Sequence, residues 1–357
     1  MNISQRNAGA LVTSLVALAS PLHAVPVAGV LQRPALVASQ ASHRVMLGLA
    51  RAGTRIVAVG ERGLALWSDD NGGQWQQAQV PVSVTLTAVA FVGASKGWAI
   101  GHAGTVLHTG DGGRSWRVQL DGVKVSQLLL QTASDPSAEA IAQQFAADGP
   151  DKPFLDIQFK NERSGIIVGA YGLILRTDDG GASWQPLMTR IANPKGLHIY
   201  AARWVGDTIY LAGEQGLLLR SDDGGATFVH LDSHYRGSFF TMAVLPSGAL
   251  LVGGLKGNVF QSQDRGQTFQ RCEGYPPVSV SAALVLDDGR VVLSNQAGQL
   301  FISDNNGCRV SLLQQAQAGA PLSALLKGGD GKLLGAGLRG ISQLSVKLPM
   351  VSTGVNK

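Results

Sequence analysis

The chain has 357 residues, of which 46 are glycine and 15% are charged, and its formal net charge is +5. The length would allow two domains, and many glycines with few charges are typical of a β protein that is dense in turns. The modest positive charge argues against nucleic acid as a partner.

Residues 1–24 have the pattern of a secretory signal peptide. Arg6 precedes an apolar core over residues 8–19, and Ala24 is a small residue at the expected cleavage site. The core is shorter than the roughly 20 apolar residues of a membrane-spanning helix, and no cysteine stands near it to carry a lipid. We expect the mature protein to lie in the periplasm, with export beyond it as the alternative.

Residues 43–350 repeat one unit. An eight-residue box recurs along them: Ser or Thr, any residue, Asp, any, Gly, any, a usually polar residue and an aromatic residue. The copies cover residues 68–75, 109–116, 177–184, 221–228 and 262–269, with a decayed copy at 303–310. An enzyme chain usually has one active site, whereas structural turns recur along a chain. Six copies of the box therefore indicate a structural role.

A Gly-x-x-Gly turn precedes each box. The turns begin at residues 60, 101, 169, 213, 254, 295 and 337; the sixth begins with Asn295, and no box follows the seventh. They are 41 to 44 residues apart, except for one step of 68 that contains an insertion. Each repeat has four short β-rich segments, and such a period is typical of propellers. We therefore predict an all-β fold, a seven-bladed β-propeller with four-stranded blades, in which the first strand of each blade is innermost and buried on both faces.

In this fold the box is the turn between the third and fourth strands of a blade. Its Asp accepts hydrogen bonds from backbone N–H groups of the turn, and its aromatic residue starts the outer strand and is buried between neighbouring sheets. The residues given this structural role are Asp70, Asp111, Asp179, Asp223, Asp264, Trp75, Trp116, Trp184, Phe228 and Phe269. The spacing lacks the alternating ligands and the distal Glu of a calcium loop, so we expect neither a metal nor a cofactor.

The insertion covers residues 121–150, between the second and third blades. Its sequence predicts one short helix, with Asp135 as the N-cap, Pro136 in the first turn and Gly149 at the end. One face of this helix carries Ala138, Ile141, Ala142 and Phe145. The face docks either on the propeller itself, which we favour, or on a partner, for which Phe145 would be a contact residue.

The seventh repeat lacks a box, so its outer strand is not accounted for. We expect the N-terminal segment of residues 25–42, and Val27–Ala38 in particular, to supply or brace that strand, because an unpaired edge invites aggregation. Residues 351–357 are expected to form a tail.

Cys272 and Cys308 are the only two cysteines. An oxidising compartment would permit a disulfide between them. They fall at different heights of neighbouring blades, however, and the outer parts of adjacent blades diverge. We therefore favour two unpaired cysteines and keep the disulfide as the alternative.

The box is known as the Asp box, or BNR repeat, of sialidases and other propellers. The complete unit, with Gly97-Trp-Ala-Ile-Gly101 ahead of the box that ends at Trp116, resembles the photosystem II stability/assembly factor-like propellers, in their non-photosynthetic bacterial branch. The resemblance covers roughly residues 43–345. It implies a non-catalytic assembly or scaffolding factor for a membrane protein complex. For relatives outside photosynthesis it implies a protein that works beside an RND-type transporter.

A carbohydrate-binding or glycan-cleaving propeller, similar to the sialidases, is the alternative function. The Phe/Tyr-Arg-Ile-Pro motif that sialidases carry near the first blade is absent. Glycoside hydrolysis needs two carboxylates that face one sugar, and the predicted inner strands carry one obvious acid, Asp156. We therefore expect no enzymatic activity.

One face of the disc collects the variable loops. In a four-stranded blade, the turn between strands two and three opens on the same side as the link to the next blade. This side, the Gly-x-x-Gly face, therefore holds the Gly-x-x-Gly turns, the links and the insertion. Binding residues concentrate on loops held by a rigid scaffold. We expect the chain, a monomer on its own, to bind its membrane partner here through Arg62, His102, Tyr171, Lys256 and Arg339.

Overall fold

The computed structural model describes residues 29–304, 307–313 and 319–344. The expected signal peptide of residues 1–24 and the expected tail of residues 351–357 lie outside these ranges. The described residues form seven antiparallel sheets arranged as a seven-bladed β-propeller, which confirms the predicted fold. In each sheet the strands pair in chain order.

The strands are short, as the density of turns predicts. Blades 1 to 3 contain β1 (Met46–Ala52), β2 (Arg55–Gly60), β3 (Ala65–Ser68), β4 (Gln76–Gln77), β5 (Leu86–Val92), β6 (Lys96–Gly101), β7 (Val106–Thr109), β8 (Arg117–Leu120), β9 (Phe154–Phe159), β10 (Gly165–Gly169), β11 (Ile174–Thr177) and β12 (Gln185–Pro186). Blades 4 to 7 contain β13 (Ile199–Val205), β14 (Thr208–Gly213), β15 (Leu218–Ser221), β16 (Val229–His230), β17 (Phe239–Val244), β18 (Leu250–Gly254), β19 (Val259–Ser262), β20 (Gln270–Arg271), β21 (Val280–Val285), β22 (Val291–Asn295), β23 (Leu300–Ser303), β24 (Val310–Leu312), β25 (Leu322–Lys327), β26 (Leu333–Gly337) and β27 (Gly340–Leu344).

The second strand of each blade, and not the first, is the strand buried on both faces. Strands β2, β10, β18, β22 and β26 are buried at every residue, because neighbouring blades cover both of their sides. Strand β1 instead mixes buried and half-buried positions, since first strands line a central channel. The expectation of fully buried first strands is wrong for this reason.

Among the described residues, the hydrophobic core is divided into seven clusters, one in each seam between neighbouring blades. Between blades 1 and 2, for example, Val57 and Val59 pack with Leu86, Leu107 and Trp116. A strand in a sheet that is covered on both faces has apolar residues on both sides, so its sequence does not alternate between apolar and polar residues. This burial explains why the apolar runs do not alternate.

The insertion contains two helices, where the sequence predicted one. Helix α2 (Pro136–Asp148) is the predicted helix, and the carboxylate of Asp135 caps it by accepting hydrogen bonds from two backbone N–H groups. Helix α1 (Gly122–Thr132) was missed, and Asp121 caps it in the same way. No helix in the described part of the chain is both long and apolar enough to span a membrane.

Both helices dock on the propeller. Val125 and Leu129 of α1 and Ala142 and Phe145 of α2 are buried in the seam between blades 2 and 3. This confirms the favoured interpretation that the helical face packs on the propeller. Phe145 is only 5% exposed, so its assignment as a partner contact is wrong, because its ring is already covered by the protein's own core.

The described part of the N-terminal segment runs along the link between blades 1 and 2. The backbone N–H of Ala35 donates to Val80 O at 3.0 Å, and that of Ser83 donates to Val30 O at 2.8 Å. Within the described residues, the seventh sheet has three strands and residues 29–38 contribute none of them. The expectation that this range supplies the outer strand is therefore wrong, and the alternative that the segment braces blade 7 remains. The segment reaches blade 7 at Ala38 and Ala41, which pack in the seam between blades 7 and 1.

Cys272 and Cys308 form a disulfide, against the favoured expectation. Their Cα atoms are 5.0 Å apart, because each box leans over the preceding blade. A Cβ on Gly307, in the box of blade 6, would lie 3.1 Å from Leu245 of blade 5. The box thereby carries Cys308 across the seam to Cys272.

Candidate functional site

The Asp boxes use their carboxylates internally. Asp179 Oδ1 accepts hydrogen bonds from Ser183 N at 2.9 Å and Thr177 Oγ1 at 2.8 Å, and Oδ2 accepts one from Ser183 Oγ at 2.6 Å. Burial alone would raise the pKa of Asp179, but these hydrogen bonds lower it. Among the described residues, no three His, Cys, Asp or Glu side chains are grouped as a metal site requires. The box geometry is therefore that of a turn.

The box aromatic residues divide into two groups. Trp116 and Trp184 are buried between blades, whereas Trp75, Phe228 and Phe269 are half-buried. Trp116 Nε1 donates to Gly113 O at 3.2 Å. Each ring packs at the outer end of the apolar cluster between two blades, and this packing holds the box against the sheet.

On the opposite face, most Gly-x-x-Gly turns are held between two backbone segments. A Cβ on Gly60 would overlap the carbonyl oxygen of Val45 in its own blade, and one on Gly63 would overlap that of Val82 in the next link. The third residue of five turns is left-handed, with φ between 51° and 57°: Arg62, Ala103, Tyr171, Gln215 and Lys256. These contacts hold the strained residues in place and leave the side chains of four of them, all but Ala103, exposed.

The predicted cations of this face are exposed and free to pair with a partner. Arg62, Lys256 and Arg339 form no ion pair with any described residue, and neither does Arg271 in the outer strand of blade 5. Arg236, in the link from blade 4 to blade 5, instead pairs with Asp232 at 3.0 Å. The opposite face, the Asp-box face, differs in this respect. Many of its cations pair with neighbouring acids, as in Arg55–Asp69, Lys96–Glu162, Lys160–Asp207, Arg265–Asp222 and Lys327–Asp287, although Arg114 in the box of blade 2 pairs with no described acid.

Tyr171 and His102 are also exposed on the Gly-x-x-Gly face. The ring of Tyr171 begins a row of aromatic side chains that leads to the channel. Ring centroids are 4.9 Å apart for Tyr171 and His198, 6.1 Å for His198 and Tyr200, and 5.3 Å for Tyr200 and Phe240. The structure thus joins the predicted Tyr171 to three residues that the sequence analysis missed. The alternation of His198 and Tyr200, which puts both on one side of the chain, was the available signal.

Glu214 anchors this row from its own Gly-x-x-Gly turn. Its carboxylate accepts hydrogen bonds from the backbone N–H of His198 at 2.9 Å and from the hydroxyl of Tyr200 at 3.2 Å. Burial and the charge of Glu214 raise the pKa of Tyr200 to about 12. Tyr200 therefore remains a neutral hydrogen-bond donor, and the carboxylate of Glu214 links His198 and Tyr200 within the row.

The channel has a volume of about 430 Å³ and contains one acid among the described residues that line it, Asp156. Asp156 Oδ2 accepts hydrogen bonds from Arg203 Nη1 at 2.8 Å and from the backbone N–H of Ala202 at 2.9 Å. The carboxylate is thus paired across the seam between blades 3 and 4. A two-carboxylate arrangement of the kind that cleaves glycosides is not formed by this described lining.

A sequence model of the family described as Photosynthesis system II assembly factor YCF48 matches residues 67–139 and 138–272. Together the matches span more than half of the chain, from the third strand of blade 1 to the end of blade 5.

Curated relatives match shorter stretches. Photosystem II assembly protein Ycf48 of Synechococcus sp. (strain JA-2-3B'a(2-13)) is 30% identical over 136 residues, which are 31% of this chain and 39% of the relative. Photosystem II assembly lipoprotein Ycf48 of Synechococcus sp. (strain CC9902) is 28% identical over 138 residues, 38% of this chain and 34% of the relative. The chain thus matches under two fifths of the length of each.

Solved propellers share the fold over most of the chain. A structure of YCF48 bound to a D1 peptide has a TM-score of 0.64 at 18% identity and covers 88% of this chain and 100% of its own. YCF48 from Cyanidioschyzon merolae has a TM-score of 0.61 at 15% identity, covering 85% and 95%. Streptogramin B lyase has a TM-score of 0.65 at 12% identity, covering 86% and 95%. At these identities the likeness shows the fold alone, and this fold includes enzymes.

Proposed function

Because the chain belongs to the photosynthesis system II assembly factor YCF48 family, we propose that it is a non-catalytic binding and assembly factor for a membrane protein complex. The Gly-x-x-Gly face is the surface that binds. The partner element is a polypeptide segment, a proposal supported by the YCF48 structure of the same fold that holds a D1 peptide.

The contrast between the two faces carries this proposal. On the Gly-x-x-Gly face, Arg62, Lys256 and Arg339 are exposed and have no ion-pair partner in the described part of the chain. An exposed arginine can pair with carboxylates and stack on aromatic rings. On the Asp-box face many acids and cations pair with each other and with their own turns. A partner with an acidic surface would therefore find free cations on the first face.

The non-catalytic assignment is supported by the state of the carboxylates. Asp156 in the channel is paired with Arg203, and the box carboxylates accept hydrogen bonds from their own turns. No observation favours a carbohydrate-cleaving function, and none of these groups is placed as a free acid beside a free base.

We also propose a periplasmic location, a monomeric state and an RND-type transporter as the membrane partner. The signal-peptide pattern of residues 1–24 supports the location. The resemblance to the non-photosynthetic branch of the family supports the transporter. Cell fractionation tests the location, and mass spectrometry of the proteins captured in the experiment below tests the transporter.

The decisive experiment reverses charge on one face at a time. Arg62→Glu with Arg339→Glu should leave folding intact, since exposed substitutions usually change stability by within about 0.5 kcal/mol. It should reduce the capture of membrane proteins from detergent-solubilised membranes and also reduce the salt dependence of capture.

The matched control is Arg114→Glu with Lys332→Glu, an equal change of charge at exposed positions of the Asp-box face. It should capture the same membrane proteins as the wild type. If instead the control loses them and the first double variant keeps them, the wrong face has been chosen.

A further inference from the structure

A groove of about 630 Å³ lies on the Gly-x-x-Gly face between α2 and the link from blade 3 to blade 4. One wall is a stripe along α2, with Ser137 at one end and Asp148 at the other. The opposite wall is formed by residues 188–189 and 191–196, and the turn at Tyr171 lies at its base. At 1.5 Å of rise per residue the stripe is about 16 Å long, which equals about five residues of extended chain.

The middle of the groove is apolar. Ile141 of α2 faces Met188, Ile191 and Pro194 across it. Ile141 and Met188 are only partly buried, so apolar surface is left for another side chain to cover. Such surface in a concave site is where an apolar ligand gains most from leaving water.

The described lining of the groove carries one unpaired cation. Lys152, whose ammonium is buried, lies 3.7 Å from Asp148 and 3.5 Å from Asp151, so these charges pair with one another. Lys195 on the link wall is exposed and forms no ion pair with any residue the structure describes. This lining therefore presents one free positive charge beside its apolar floor, and complementarity calls for an acidic residue in the partner segment at that end.

Tyr171 adds an exposed aromatic ring at the lip. It is 53% exposed and has φ 57°, which is unusual for a bulky residue. Ala103 holds the same left-handed position in the turn of blade 2, so the turn itself does not require tyrosine. The ring lies 5.7 Å from the ammonium of Lys152 and faces the row of His198 and Tyr200.

We propose that this groove binds an extended segment of a partner polypeptide, about five residues long, with an apolar core and an acidic flank. The core covers Ile141 and Met188, a flanking carboxylate pairs with Lys195, and Tyr171 packs on the segment at the lip. This inference rests on the proposed function in one respect, that the partner is a polypeptide. It adds where the segment lies and which side chains select it.

Synthetic peptides test the groove on the full chain. The probe is acetyl-Glu-Glu-Leu-Phe-Val-Phe-Leu-Glu-Glu-amide, with one comparison peptide flanked by Lys and another with a Ser/Gly core, all measured by calorimetry. The acidic probe should bind, and each comparison peptide should bind at least about tenfold more weakly, since about 1.4 kcal/mol corresponds to a factor of ten. A wild-type chain that fails to bind the probe at about 1 mM, or that binds all three peptides equally, overturns the proposal.

Matched variants locate the binding. Ala140→Arg fills the groove from an exposed helix position and should lower the affinity for the probe peptide at least about tenfold. Ala146 is also exposed on α2 but lies outside the lining, so Ala146→Arg should leave that affinity unchanged. Lys195→Glu should lower the affinity for the probe peptide, whereas Lys124→Glu on α1 should not. Tyr171→Ala should lower that affinity several-fold. Equal effects of Ala140→Arg and Ala146→Arg would overturn the assignment.

The same variants separate this inference from the proposed function. Ala140→Arg should also reduce the capture of membrane proteins. If it binds the probe and captures membrane proteins as the wild type does, the groove is refuted while the charge-reversal result on Arg62 and Arg339 still stands. If the charge reversal fails while Ala140→Arg abolishes both readouts, the cationic surface is refuted and the groove stands.

Discussion

Asn71, in the box of blade 1, accepts a hydrogen bond on Oδ1 from the backbone N–H of Gly329 in blade 7 at 2.8 Å. The two residues are 258 positions apart in sequence. Gln343 Nε2 in turn donates to Asn71 O at 3.3 Å. The ring is therefore closed in part by a box that reaches the preceding blade, as the other boxes do, in addition to the packing of Ala38 and Ala41 in the same seam.

Asn71→Gly tests this closure. Asn71 is left-handed, with φ 56°, and Gly112, Gly180 and Gly224 occupy the same position in three other boxes, so glycine fits the turn. The substitution removes the hydrogen bond to Gly329 and should lower the free energy of unfolding by about 1 kcal/mol, as measured by urea denaturation. Unchanged stability would mean that the seam between blades 7 and 1 does not need this contact.

Reduction of the disulfide should weaken the seam between blades 5 and 6. Cys272 and Cys308 enclose 36 residues of sequence separation, and a cross-link of that size stabilises a protein by about 2–4 kcal/mol. The double variant Cys272→Ala with Cys308→Ala should unfold like the reduced wild type in guanidinium. A thiol assay on the unfolded, unreduced wild type should find no free thiol, and two free thiols would contradict the bond.

The sequence repeat allowed the number and order of the blades to be predicted. The contacts between neighbouring blades could not be predicted in the same way. The spacing of box and turn assigned all seven blades, because each blade repeats the same local chemistry. Cys272 and Cys308 were misjudged because no local pattern shows that a box leans over the preceding blade.

The site was predictable to a similar degree. Arg62, Lys256 and Arg339 were correctly predicted to be exposed, because the third position of the Gly-x-x-Gly turn points its side chain to solvent. The row from Tyr171 to Phe240 depends on contacts between side chains of blades 3, 4 and 5. No local sequence pattern indicates which side chains of different blades come into contact. Helix α1 was missed because Val123 and Val125 are β-branched residues with lower helix propensity than alanine or leucine, so the sequence gives a weak helix signal there.

Acid should weaken the boxes. Hydrogen bonds from the hydroxyl and the backbone N–H of Thr268, and from Ser262, lower the pKa of Asp264 to about 2. A lowered folded-state pKa contributes stability above the unfolded value of about 3.9, and this contribution is lost as the pH falls through the folded value. The melting temperature should therefore fall steeply between about pH 4 and pH 2.

Asp264→Asn should flatten part of that slope, and a chelator should leave the melting temperature unchanged at pH 7. A pH profile parallel to that of the wild type would show that Asp264 does not carry the effect. A calcium-dependent rise in the melting temperature would show that the boxes bind metal.

The Gly-x-x-Gly turns should tolerate no side chain at their last glycine. Gly63 and Gly93 both have positive φ, 77° and 69°, but a Cβ on Gly63 would overlap Val82 O, whereas one on Gly93 would meet nothing within 4 Å. Gly93→Ala should cost about 1–2 kcal/mol for the left-handed backbone. Gly63→Ala should cost about 1–3 kcal/mol more, because the link between blades 1 and 2 must move away from the turn. Equal losses in urea denaturation would mean that the links are not wedged against the turns, and the rigid support inferred for Arg62 would then be absent.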